Sequence, residues 1–262
     1  MGIKSDFDKN GFVVIKHPLI AEFKQELIDE IHSFLDTLLA RFEFRKVSKS
    51  DATLTERISE VFHVEEKEEI TSKLYELVPT LPHFFGQVSN SLILDTISKL
   101  KVLSPSVGTI PLLRIDRPND SFRITPMHQD HYYSLLSNNA IVVWFTLEKI
   151  DKSSGFLKVV PGSHKNGIAN FNVTEKNRDN YEATGAINSD DIVEVDLEDD
   201  EILIFSQLLL HASGVNNSSK VRISTQLRFN DLVSAEALTR TFSVTHSDYV
   251  KSKQEEFLES ST

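Results

Sequence analysis

His128, Asp130 and His211 are the residues of this chain whose types and spacing best suit chemistry. The segment Pro126-Met127-His128-Gln129-Asp130-His131 places an imidazole and a carboxylate two positions apart. On an extended strand such positions face the same side, so both could reach one divalent ion. Nine histidines occur in the chain, and a His-X-Asp alone reads more readily as a solvated surface pair. A second segment changes the balance. The acidic turn Asp199-Asp200-Glu201 enters the apolar run Ile202 to Phe205, which leads to His211 beside the small residues Ala212, Ser213 and Gly214. Two histidines and one carboxylate form the facial ligand set of non-haem Fe(II) oxygenases, with three coordination positions left open. A 2-oxo acid fills two of these and dioxygen the third.

The far carboxylate of 2-oxoglutarate then needs a cation. Arg222 opens the run VRISTQLRF, whose alternation puts Arg222, Ser224, Gln226 and Arg228 on one face. An arginine facing a barrel interior requires an anion, because an unpaired buried charge is costly. Its planar fork matches a carboxylate, and the Ser224 hydroxyl completes a clamp.

Two textures of sequence must position these residues. The first hundred residues are mainly helical, apart from a short β-like run GFVVIK at 11–16. Leu19 to Phe44 carries Phe23, Leu27, Ile31, Leu35, Leu38 and Leu39 as a stripe, and Lys67–Leu77 and His83–Leu100 continue the helical period. From about Leu103 short β-rich runs alternate with turns: Thr109–Ile115, Ser121–Ile124, Ala140–Leu147, Phe156–Val160, Ile192–Val195, Ile202–Phe205 and Val221–Phe229. That spacing predicts an all-β sandwich or barrel. A polar helical stretch, Ser247 to Glu259, follows.

With these motifs in place, the sequence resembles the phytanoyl-CoA dioxygenase family of Fe(II)/2-oxoglutarate oxygenases over residues 8 to 231. The likeness rests on GFVVIK, the His128-Gln129-Asp130 motif, Trp144 in the following strand, the run VVPGSHKNG, and His211 with Arg222. It implies a mainly β fold with flanking helices: a double-stranded β-helix (a cupin-like jelly roll) under an N-terminal helical layer. The whole chain, 1–262, is then one oxygenase domain, with a helical layer at 1–102, the jelly-roll core at 103–234 and a helical tail at 235–262. The resemblance further implies Fe(II) held by His128, Asp130 and His211, and 2-oxoglutarate held by Arg222, with Ser224. Gln129, Trp144 and His164 carry over as residues near the site. The reaction implied is oxidative decarboxylation of 2-oxoglutarate, coupled to hydroxylation of an unactivated C–H bond, with succinate and carbon dioxide released. Related halogenases lack the carboxylate ligand, so Asp130 favours hydroxylation.

The neighbouring residues each have a plainer reading. Trp144, the only tryptophan, either packs in the core or walls the pocket, and Tyr132 and Tyr133 have the same choice. His164 either touches a ligand or caps its own turn. His131 points away from His128 and Asp130 on a strand. Arg114, Arg117 and Arg123 are candidates for an anionic substrate group, against pairing with Asp116 and Asp120. Arg228 is either a second anion contact or half of a salt bridge.

Composition narrows the partners. Twenty-eight basic and 39 acidic residues leave a net charge of −11, which repels nucleic acid and anionic membrane. The absence of cysteine excludes disulfides, thiolate zinc sites and a cysteine nucleophile. The opening MGIKSDFDKN has charges where a signal peptide needs an apolar core, and Asp6 breaks the myristoylation pattern. A cytoplasmic enzyme acting on a small polar or anionic molecule is the expectation. Its rivals are another cupin-like metal enzyme, such as an isomerase or hydrolase, and a non-catalytic jelly-roll binding module. A serine hydrolase ranks below both, since no G-x-S-x-G elbow occurs.

Overall fold

A computed structural model describes residues 2–41, 52–65, 67–100, 102–120, 124–173, 181–185, 187–235 and 237. In chain order its elements are α1 (Ile3–Asn10), β1 (Phe12–Lys16), α2 (Pro18–Arg41), α3 (Leu54–Val61), α4 (Lys67–Leu77), α5 (Pro82–Gly86), α6 (Ser91–Lys99), β2 (Pro105–Asp116), α7 (His131–Ser134), β3 (Ile141–Thr146), β4 (Leu157–Val159), β5 (Phe171–Val173), β6 (Tyr181–Ala183), β7 (Val193–Val195), β8 (Glu201–Ser206), β9 (His211–Ala212) and β10 (Arg222–Asp231). Helix and strand are mixed, so the expectation of a mainly β protein is corrected. The apolar stripes of the N-terminal half form a full helical layer, whereas five of the strands run only two or three residues.

Five strands pair antiparallel in the order β1-β8-β3-β10-β2, and β7-β4-β9 make a second antiparallel sheet. β5 and β6 form a separate hairpin. GFVVIK therefore belongs to the main sheet rather than to the helical layer: β1 is its edge strand, paired to β8 from Phe12↔Phe205 to Lys16↔Glu201.

The helical layer covers one face of the five-stranded sheet. From α2, Leu27, Ile31 and Leu35 are fully buried, and Phe23 meets Phe145 of β3 edge-on. Tyr75 of α4 donates its hydroxyl to the Ile115 carbonyl of β2, and Thr225 of β10 donates to Gln87. Thr53 caps α3 reciprocally with Glu56, while Glu148 accepts from the next two amides, Leu54 and Thr55. This ties the helix start to the end of β3. The stretch His83–Leu100 is not one helix, because Asn90 accepts from the Ile93 amide and restarts the chain as α6.

The other face of the five-stranded sheet looks toward the smaller sheet. Within the smaller sheet, two glycines let the chain entering β4 pass close to the chain leaving β9. A Cβ on Gly155, whose φ is +82°, would stand 2.4 Å from the Val215 carbonyl oxygen, and one on Gly214 would stand 2.3 Å from that of Phe156. Among the described residues no helix is long and apolar enough to cross a membrane. The expected strand at Ser121–Ile124 lies mostly outside the described residues, as do the helix expected at Ser247–Glu259 and nearly all of the expected tail at 235–262.

Candidate active site

A cavity of about 210 Å³ lies between the two sheets, and His128, Asp130 and His211 all face it. The ligating atoms of these three residues lie within 4.8 Å of one another, and all three side chains are buried. The backbone brings them together directly. The His128 amide donates to the His211 carbonyl at 2.9 Å, and the His211 amide returns the bond at 3.0 Å. Asp130 arrives differently from the expected strand. It sits in a helical conformation (φ −64°, ψ −18°) at the start of α7, so the His-X-Asp segment bends there rather than running on extended.

Each ligand is oriented from behind. The Nδ1 of His128 lies 2.7 Å from the Pro126 carbonyl, and that of His211 lies 3.0 Å from the Leu209 carbonyl. Both contacts place the proton on Nδ1 and turn Nε2 toward Asp130, 3.7 Å and 3.9 Å away. Burial, reinforced by the neighbouring His128, pushes the His211 pKa down to about 3, so its imidazole is neutral and able to ligate. Burial also works against the Asp130 carboxylate, but Arg228, His128 and His211 outweigh it and hold the acid well below the usual carboxylate range. Two imidazoles whose Nε2 atoms face an ionised carboxylate, all three side chains buried, fit Fe(II).

The PGSH turn buttresses this arrangement. The Ser163 hydroxyl accepts from the Leu210 amide at 2.9 Å, and Val160 donates to the Leu210 carbonyl. His164 itself faces the other way. It packs near Phe7 of α1 and against Gly11, and it does not line the cavity, which corrects its expected place at the site. Gln129 is likewise a brace. Its amide donates to the Gly167 and Leu208 carbonyls at 2.9 and 2.7 Å and accepts from Ala169 at 2.9 Å, so no polar atom is left to meet a substrate. His131 is fully buried, with Nδ1 against Gln207.

The candidate arginines sort into three environments. Arg114 borders the cavity. It donates to Asp116 at 2.9 Å and to Thr125 at 2.7 Å, and its side chain is still 36% exposed. Arg228 also borders the cavity and donates to Asp130 at 2.9 Å. Arg222 does not border it. Its Nε and Nη2 reach the Asp116 carboxylate at 3.2 and 2.8 Å, and its Nη1 reaches the carbonyls of Ser154, Gly155 and Gly214. The anion that an inward arginine demands is supplied by the chain itself. Ser224 and Asp116 line an adjoining space of about 310 Å³, which shares Leu112, Arg114, Thr125, Trp144 and Gln226 with the metal cavity. Arg117 stacks on Phe62 and lies 3.6 Å from Glu68, and Arg123 falls outside the described residues.

Trp144 walls the cavity, as does Tyr133, whose ring meets His128 edge-on and whose hydroxyl accepts from the Tyr181 amide. Phe205, the end of the apolar run, also lines the cavity and packs edge-on against His211. Leu112, Thr125, Leu157 and Ser213 are lining residues that sequence reasoning did not single out, while Gln226 was placed only on the face shared with Arg222 and Arg228. Alternation along β10 and β2 was the available signal for Gln226 and Leu112.

The profile of the phytanoyl-CoA dioxygenase (PhyH) family matches residues 7–224. Peroxisomal phytanoyl-CoA dioxygenase of Bos taurus is 26% identical over 245 residues, covering 86% of this chain and 66% of that protein. The Homo sapiens protein of the same name is 26% identical over 243 residues, covering 85% and 66%. The chain thus spans 66% of the length of these curated relatives. Among solved structures, the non-haem monooxygenase ThoJ in its apo form superposes with a TM-score of 0.64 at 18% identity, over 98% of this chain and 94% of that one. EvdO2 from Micromonospora carbonacea var. aurantiaca, complexed with 2-oxoglutarate, gives 0.52 at 18% identity, over 86% and 88%. These likenesses show a shared fold. Together with the span of the profile match and the buried His-Asp-His cluster, they lead to one statement of kinship: the chain belongs to the phytanoyl-CoA dioxygenase family.

Proposed function

We propose that this protein is an Fe(II)- and 2-oxoglutarate-dependent dioxygenase, built as a single jelly-roll oxygenase domain of the double-stranded β-helix type. Its substrate is a small anionic metabolite, hydroxylated at a C–H bond with release of succinate and carbon dioxide. The observation that carries this reading is the set of three buried ligands converging on one cavity that Arg114 also borders. The absence of cysteine and the net charge of −11 agree with a cytoplasmic setting and a small-molecule partner, without nucleic acid or membrane.

When bound, the iron and 2-oxoglutarate supply the oxidising chemistry. The protein's share is placement. His128, Asp130 and His211 hold the ion on one side and leave the cavity side open. Leu112, Trp144, Leu157 and Phe205 keep the reacting region dry. Arg222 with Ser224 anchors the far carboxylate of 2-oxoglutarate from the adjoining space, with Asp116 standing in that place until the cosubstrate arrives. Arg114, which borders both spaces, grips the substrate anion.

A second reading of the anchor has its own support. Arg222 is saturated by Asp116 and three carbonyls and lines neither space, whereas Arg114 lines both and is 36% exposed. On this reading Arg114 takes the cosubstrate and Arg222 is structural. Anaerobic titration decides both questions. Fe(II) followed by 2-oxoglutarate should give a weak visible charge-transfer band that His211→Ala abolishes. No band in folded protein would end the oxygenase reading. If the first anchor is right, Arg222→Ala raises the 2-oxoglutarate requirement at least tenfold with iron binding retained; if the second is right, Arg114→Ala does so instead.

A further inference from the structure

Both oxygens of Asp130 are already engaged by strand β10. Arg228 Nη2 donates to Oδ1 at 2.9 Å, and Gln226 Nε2 donates to Oδ2. The same Arg228 nitrogen lies 3.2 Å from Gln226 Oε1, which turns the amide so that its NH₂ faces the carboxylate. Arg228 is 92% buried, and its Nε has no partner among the described residues. Unlike Arg222, it makes no bond to a backbone carbonyl among the described residues, and Asp130 and Gln226 are its partners there. Strand β2 deforms around it. The register with β10 slips on both sides of Arg228, passing from Gln226↔Leu112 to Arg228↔Thr109 to Phe229↔Val107. Pro111 lies inside the first slip and has no amide to donate to the ladder.

We propose that Arg228 is a positioning residue that keeps Asp130 a one-oxygen ligand. The inference rests on the metal reading above. The two donors are unequal: a divalent ion displaces a neutral amide from a carboxylate oxygen more easily than it displaces a guanidinium. Asp130 therefore gives Oδ2 to the metal, and Arg228 retains Oδ1. The protein then fills three of six positions, leaving two for a chelating 2-oxo acid and one for a diatomic gas. With Oδ1 released, Asp130 could grip the ion through both oxygens, and the last position would close.

The test uses purified full-length protein under argon, with two variants, Arg228→Met and the conservative Arg228→Lys. Fe(II) affinity is read by competition with a chromogenic chelator, and open positions by the electron spin resonance signal of the nitric oxide adduct formed with Fe(II) and 2-oxoglutarate. Arg228→Met is expected to bind Fe(II) at least as tightly as wild type, and to lose the adduct signal at least tenfold. Arg228→Lys, which keeps a cationic donor, should recover most of it. A full adduct signal in Arg228→Met overturns the proposal. So does a tenfold or greater loss of Fe(II) affinity in either folded variant, because Arg228 would then be needed for metal retention itself. Should Arg228→Met not fold, Arg228→Lys with less than a tenth of the wild-type signal also overturns it, and a signal near wild type supports it. If the wild-type protein itself forms no complex with Fe(II) and 2-oxoglutarate, the parent reading fails instead, and the two failures are distinct.

Discussion

The backbones of His128 and His211 hydrogen-bond to each other in both directions, at 2.9 and 3.0 Å. Two ligands far apart in sequence are thus joined by main chain and not by the metal they serve. Each ring is also held by a carbonyl two residues before it. The site should therefore be formed before metal arrives. Chelator treatment is expected to leave the far-ultraviolet circular dichroism unchanged, and to lower the unfolding free energy only by the binding linkage, about 2.7 kcal/mol at a metal concentration one hundred times Kd. His211→Ala should weaken Fe(II) binding by at least a hundredfold while the fold persists. Loss of secondary structure on chelation would contradict the preformed site.

Arg222 and Asp116 bear on the cosubstrate. Asp116 is shared, since Arg114 and Arg222 both donate to it. If it occupies the place of an incoming carboxylate, Asp116→Asn frees Arg222 and should tighten 2-oxoglutarate binding about three- to tenfold. The cost is stability, because two arginines lose a buried counter-charge, and roughly 3–5 kcal/mol is typical of breaking such a pair. Calorimetric titration and thermal melting check the two arms. Weaker 2-oxoglutarate binding in folded Asp116→Asn would mean that Asp116 orients the arginine instead of competing for it.

How much of this was legible in the sequence differs between residues for physical reasons. His128, Asp130 and His211 were readable because few other functions require two histidines and a carboxylate near apolar strands. The facing of Gln226 and Arg228 followed from strand alternation. The partner of Arg222 was not readable. Asp116 lies 106 positions away, and only the β10–β2 register, Arg222↔Asp116, brings it alongside. Gln129 and His164 shared motifs with true site residues, but adjacency in a motif does not fix direction. Gln129 follows the chain as it turns into α7, and His164 lies on the outer side of the turn whose Ser163 supports His211. Strands as short as β5, β6 and β9 carry too few residues for a period to register.

Gln129 has a sharp signature as a brace. Its side chain is 1% exposed and makes three bonds to main chain. Gln129→Ala leaves two carbonyls and one amide without partners, a loss of about 2–4 kcal/mol. Denaturant unfolding should show it. The 2-oxoglutarate Kd of the folded fraction should stay within a factor of three of wild type. A large change in that Kd with little change in stability would return Gln129 to the ligand-binding residues.

Lys24 predicts a pH dependence located away from the metal. It is buried on α2, donates to the Glu201 carbonyl at 2.9 Å, and lies 5.4 Å from the centre of the Phe145 ring. Burial lowers its pKa to about 8, against the pull of Asp199, Asp200 and Glu201. The unfolded chain holds the proton up to about pH 10, so between roughly pH 8 and 10 the unfolded state binds more protons, and stability from this group rises with pH. Below pH 8 the full cost of burying the ammonium is present. Lys24→Met removes that cost while keeping the apolar stem, so the variant should be more stable than wild type at pH 7 by about 1–3 kcal/mol. The advantage should shrink as pH rises from 8 to 10, where the wild-type lysine folds uncharged. Parallel melts of both proteins across that range measure the difference directly, and an advantage that grows with pH would show that the Lys24 ammonium stabilises the fold.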